Sequence, residues 1–133
     1  MRLRTYGILL LGLLAAGGCG SRKSTDALIE DLKAGESLDR TIAARELPYR
    51  RGDAGKIVPA LVGALKDTNG RVRQSAAIAL GQFGEQAKEA IPALRAAEND
   101  PDPPVRKAAG VALTRIDPSL TPKPSVGKPR GRN

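Results

Sequence analysis

The sequence predicts an all-α fold, a short α-solenoid of about two and a half helical hairpins, and three observations carry that prediction. The first is a repeat with a period of 33 residues. Residues 56–83 laid on residues 89–116 place Pro59, Ala60, Leu61, Ala64 and Asp67 on Pro92, Ala93, Leu94, Ala97 and Asp100. The same overlay places Val72, Arg73, Ala76, Ala79 and Leu80 on Val105, Arg106, Ala109, Ala112 and Leu113. A period of this length belongs to stacked two-helix units, each too small to bury its apolar face alone. The second observation is the spacing of apolar residues by three and four, which puts them on one side of a helix. The third is punctuation: residues able to cap a helix start, and prolines, recur at the same phase of the repeat.

Each element follows in order. Residues 26–33 form a first helix of one kind, B, because Ala27, Leu28, Leu32 and Lys33 lie one period before Ala60, Leu61, Leu65 and Lys66. Ser37 is read as the cap of a helix of the other kind, A, in which Arg40, Ala43, Ala44 and Leu47 precede Arg73, Ala76, Ala77 and Leu80 by one period. Gly52 and Gly55 mark the next turn. A second B helix carries Ile57, Leu61 and Leu65 on one stripe with Val58 and Val62 beside it. Its Pro59 is assigned to the first turn, where the N–H groups have no intrahelical partner. Asn69 opens the second A helix, with Val72, Ala76, Ala79, Leu80 and Phe83 inward and Gly81 and Gly84 bracketing its end. A third B helix offers Ala87, Ala90, Ile91 and Leu94 around Pro92. Asp102 and Pro103 then open the last A helix as cap and first residue. With no B helix after it, this last helix is expected to leave Val111, Leu113 and Ile116 on an uncovered edge.

The stretch DTNGRVRQSAAIALGQFGEQAKEAIPAL resembles a HEAT repeat of the short, phycobilisome-lyase-like type, and DPDPPVRKAAGVALTRI resembles the first part of the next one. The resemblance covers roughly residues 25–117 and implies HEAT-like hairpins stacked into an elongated surface for a protein partner. It also implies that Asp67, Arg73, Asp100 and Arg106 form a structural ladder between neighbouring repeats.

Residues 1–18 read as a signal peptide. Arg2 and Arg4 precede an apolar run from Gly7 to Ala16, too short to span a bilayer, and Gly17 and Gly18 supply small residues at a processing site. With the chain's single cysteine, Cys19, directly behind them, the segment resembles a bacterial lipoprotein signal. That resemblance implies lipidation of Cys19, a polar tether over residues 19–25, and lipid anchoring to a membrane of the bacterial cell envelope, inner or outer left open.

The repeat domain is assigned to residues 26–117. All 14 acidic residues of the chain fall there, matched by as many Lys and Arg, so the net charge of +8 belongs to the flanks. Residues 118–133 hold Pro118, Pro122, Pro124 and Pro129, four cations and no acid, and read as a disordered, Pro-rich basic tail.

No catalytic residues, cofactor or metal ligands are expected. The chain has no histidine, and its one cysteine belongs to the signal, which removes a Cys/His pair and a histidine metal site. HEAT-repeat relatives that hydroxylate a modified lysine hold iron with histidine and glutamate pairs, so their activity does not transfer. The preferred function is a membrane-tethered, non-catalytic interaction module or scaffold binding an envelope protein. Its candidate contacts are the charged residues expected to face out of the B helices: Lys56, Lys66, Lys88, Glu89 and Arg95. Self-association through the uncovered C-terminal edge is a further expectation. One alternative is an anionic-surface or polyanion binder acting through the tail. Nucleic acid is a poor target, since no aromatic residue is interleaved there for base stacking. Another alternative is an accessory of bilin attachment, as some relatives are.

Overall fold

Six α-helices follow one another in the computed structural model, which describes residues 22–120. They are α1 (Thr25–Ala34), α2 (Ser37–Glu46), α3 (Ala54–Ala64), α4 (Gly70–Phe83), α5 (Ile91–Ala97) and α6 (Pro103–Ile116). Short 3-10 segments at Leu47–Tyr49, Arg51–Asp53 and Gly84–Ala90 join some of them. Each odd-numbered helix packs on the even-numbered helix after it, while α2, α4 and α6 lie side by side as a second layer. The A and B helices of the sequence are therefore the two layers of a short solenoid.

Side-chain caps set two of the helix starts. Ser24 Oγ accepts from the Ala27 N–H at 3.2 Å, and Asn69 Oδ1 accepts from the Arg71 N–H at 2.9 Å. Each satisfies one of the four N–H groups a helix start leaves open. The first helix thus begins at Thr25, whose side chain is buried.

Local sequence is overruled at three places. Ser37 lies inside α2, and the cap position is Glu36, which makes no side-chain cap bond. The extended Gly35 and Glu36 turn the chain one residue early. Pro59 is the sixth residue of α3, because the helix already starts at Ala54. Proline is tolerated there since both it and Gly55, whose carbonyl loses a partner, are exposed to water. Its counterpart Pro92 does sit at the start of α5, because residues 84–90 are 3-10 with a kink at Ala87. Gly81 does not end α4 but lies buried within it, where an added Cβ would stand 2.9 Å from the Ala112 Cα. Only Gly84, at φ +57°, ends the helix, in a conformation that favours glycine.

The core is built of small and aliphatic residues. Ala76, Ala79, Ala109 and Ala112 are buried between neighbouring helices, with Leu61, Leu80, Leu94 and Leu113 filling the space between layers. Phe83 is the one buried aromatic residue among those described. Leu113 and Ile116, expected on an open edge, are fully buried, because α6 turns that side onto α5 and the preceding 3-10 segment. Val111 alone of the three is exposed. Leu120, three residues past the expected boundary at 117, packs back against the core.

Two substitutions at helical glycines separate these effects. Gly63, with nothing near its Cβ position, should gain about 0.5–1 kcal/mol as alanine. Gly81→Ala should instead lose about 1–3 kcal/mol in urea unfolding, because α4 and α6 are forced apart. Phe83→Ala should cost about 3–5 kcal/mol by the same measurement.

Candidate functional site

Arginine–aspartate pairs link successive hairpins, with Arg40 rather than Arg106 as the partner that completes the set. Arg40 forks onto Asp67 at 2.7 and 3.0 Å, and one period later Arg73 forks onto Asp100 at 2.8 and 2.9 Å. Each arginine also holds its own turn: Arg40 Nη1 donates to the Gly35 carbonyl, and Arg73 Nη1 to those of Asp67 and Thr68. Arg73 Nη2 reaches Asp102 as well, at 2.9 Å, so the carboxylate at the α6 cap position serves the ladder rather than its own helix. Asp67 and Asp100 further accept the N–H of Asn69 and Asp102, closing tight turns before α4 and α6.

Burial alone would push the Asp67 and Asp100 carboxyls up. The guanidinium bonds from Arg40 and Arg73, with the two backbone N–H groups, outweigh it and hold both below the ordinary carboxylate range. The Asp67 and Asp100 side chains are only 11% and 8% exposed, so these ion pairs are shielded from solvent in a way surface pairs are not.

The second feature is a surface. The exposed large apolar residues among those described are Leu38, Ile42, Tyr49, Ile78 and Val111. All lie on α2, α4 and α6 or in the turn directly after α2. Between α4 and α6 runs a groove of about 620 Å³, with Ile78, Ala108 and Val111 among its apolar lining and Gln74, Lys107 and Arg115 supplying its polar groups. Neither helix contains an acidic residue, so this groove is apolar in its floor and cationic at its rim. A second hollow of about 570 Å³ lies across the starts of the same layer, lined by Leu38, Arg45, Arg71, Asp102 and Pro104 among others.

The predicted contact residues lie elsewhere. Lys56 is exposed on α3 and bonds Asp26 at 3.3 Å. Lys66 is exposed just beyond the end of α3. Lys88 and Glu89 are exposed on the 3-10 segment, and Arg95 on α5 pairs with Glu98 at 3.1 Å. Neither hollow includes any of the five. Arg106, the last ladder residue, bonds the carbonyls of Asp100 and Pro101. Cys19, the signal and the tail cations at Lys123, Lys128, Arg130 and Arg132 lie outside the described residues. No helix of the described residues is long and apolar enough to cross a membrane.

Val111 is one of the residues expected at the surface, and its phase in the repeat points to Ile78 as well. Ile78 and Val111 are one period apart, and both fall off the buried stripe of their helix.

A ladder of this kind, on a stack of this period, is matched by one comparison: residues 25–114 fit the family model for HEAT repeats. The chain belongs to the HEAT-repeat family. No curated protein matches the chain. HEAT repeats are in general protein-interaction modules, typically on a non-catalytic scaffold fold.

The ladder yields two expectations. Asp100→Ala, which strands the largely buried Arg73 guanidinium, should lower unfolding free energy by about 2–3 kcal/mol, whereas Asp26→Ala at an exposed pair should leave the midpoint unchanged. Because both ladder carboxyls are depressed in the folded state, they stabilise it above the unfolded carboxyl value near pH 4. That contribution is lost as pH falls through the lower folded value. Melting temperature should therefore fall on acidification below about pH 4, and less steeply in Asp100→Asn.

Proposed function

We propose that the protein is a membrane-anchored, non-catalytic HEAT module that docks a protein partner in the bacterial cell envelope. The observation that carries the docking is the groove between α4 and α6. Its apolar floor at Ile78 and Val111 and its cationic rim at Lys107 and Arg115 complement an amphipathic segment bearing acidic residues. Exposed apolar residues gathered on one layer of a small fold mark an interaction surface, while the opposite layer carries charge and none of them.

The anchor rests on the sequence. A basic start, a short apolar run and the glycine pair before Cys19 fit lipidation at that thiol. Several acyl chains, each contributing about 0.8 kcal/mol per buried CH₂, suffice for stable attachment. From Cys19 to the Ser24 cap is a short tether, which would hold α1 close to the bilayer surface. Lys23, within it, pairs with Asp31 at 2.7 Å, and its carbonyl accepts from Arg50.

The two halves are tested separately. Cys19→Ala should move the protein from the membrane fraction to the soluble fraction, and undiminished membrane association would remove the anchor. Photocrosslinkers placed at Val111 and at Lys66 should give one recurrent partner from Val111 only, lost in Ile78→Glu with the melting temperature retained. Crosslinks from Lys66 alone would move the docking surface to the other layer.

A further inference from the structure

The ladder is open at its C-terminal end. Arg106 stands one period after Arg73 and is held the same way, with Nη1 on the carbonyls of Asp100 and Pro101 at 2.7 and 3.0 Å. No further hairpin follows within the described residues, and its Nε and Nη2 donate to none of their acceptors. The result is an exposed guanidinium fork whose orientation is already fixed by the backbone, the geometry that takes a carboxylate side on. Around it α6 presents Lys107 and Thr114, in register with the Gln74 and Gly81 positions that α4 turns toward α6.

The opposite end of the same chain is complementary. On α4 and α6 the positions facing the preceding hairpin are Val72, Ser75 and Ala79, then Val105, Ala108 and Ala112, all buried. The same phase of α2 carries Asp39, Ile42 and Glu46, all exposed, with no hairpin before them among the described residues. Glu36, exposed and making no cap bond, stands at the phase of Asp102, the residue that accepts from Arg73 across the α4–α6 contact. One end is thus acidic and apolar and the other cationic.

We infer that Arg106 is a preset carboxylate receptor and that its occupant is Glu36 of a second copy, whose α1–α2 hairpin stacks on α6 as a fourth hairpin. Carrying the α4–α6 contact forward one period sets Glu36 of the added copy beside Nη2 of Arg106, as Asp102 sits on Nη2 of Arg73, and puts Ala34 where Asp100 takes the fork, which leaves both free donors to the longer Glu36 side chain. It also sets Glu46 on Thr114, as Ala112 sits on Gly81. Thr114 in place of a glycine holds the copies further apart than α4 and α6, so the association is weaker than the fold itself. The chain's own residues 121–133 do not fit this edge, since they bring four more cations and no acid. This rests on the reading of the solenoid as an interaction module and deepens it by naming one partner; it is independent of the anchor and shares only Lys107 with the α4–α6 groove.

The test is sedimentation velocity on the full chain in mild detergent over a wide range of concentration. Self-association is expected, weakened about tenfold by Arg106→Glu and about tenfold by Glu36→Arg, and recovered when both are combined, because the pair is then reversed rather than removed. Arg106→Gln serves as a milder variant, and thermal melts establish that each remains folded. A single species at every concentration overturns the proposal. So does association indifferent to the reversals, which would place any contact between copies on another face. Loss in both single variants without recovery in the double also overturns it, since Arg106 and Glu36 would then not be partners.

Discussion

Every hairpin-to-hairpin junction in this chain depends on one arginine doing two things. Arg73 ties down the carbonyls of the turn before its own helix and, with the rest of the same guanidinium, grips the carboxylates of the next turn. A side chain with a rigid, planar set of donors can satisfy both at once, whereas a lysine at that place could reach only part of the set. The angle between successive hairpins is thereby fixed by hydrogen bonds of defined direction. Apolar contact alone would leave that angle adjustable.

That constraint matters because the core supplies so little of its own. The contact between α4 and α6 is made by Gly81, Ala108 and Ala112, residues with almost no shape to interlock. Close approach of backbones gains dispersion contact over a large area but does not discriminate one register from another. The ladder provides the discrimination and the small residues provide the proximity. Phe83 and the leucines then fill the space between the layers.

Much of this architecture was legible in the sequence. The period and the phase of the two helix kinds could be read from positions such as Arg73 and Arg106, because repetition tells which residues share an environment, whereas a ladder was implied only by the HEAT resemblance and its pairings came from the structure. What escaped were quantities set by the neighbouring hairpin. Gly81 looks like a helix terminator until Ala112 is seen against it. Leu113 and Ile116 look uncovered until α6 is seen turning that side inward onto α5. The α4–α6 groove is hard to see in sequence for a related reason: Lys56, Lys88 and Glu89 stand out there as charges. Ile78 is inconspicuous among other apolar residues until burial separates it.

The order of the helices has a kinetic side. Among the described residues, in the layer of α2, α4 and α6 only α4 has a neighbour on each flank, and it is also covered by α3 and the 3-10 segment behind it. Every other helix of that layer has an outer margin from which it can peel away while the rest stays folded. Stability in such an array is a sum over adjacent units, so openings begin at the ends and cost least there. The amide hydrogens of α4 are then the slowest to exchange, and the two ends of the described stack are the parts most readily remodelled.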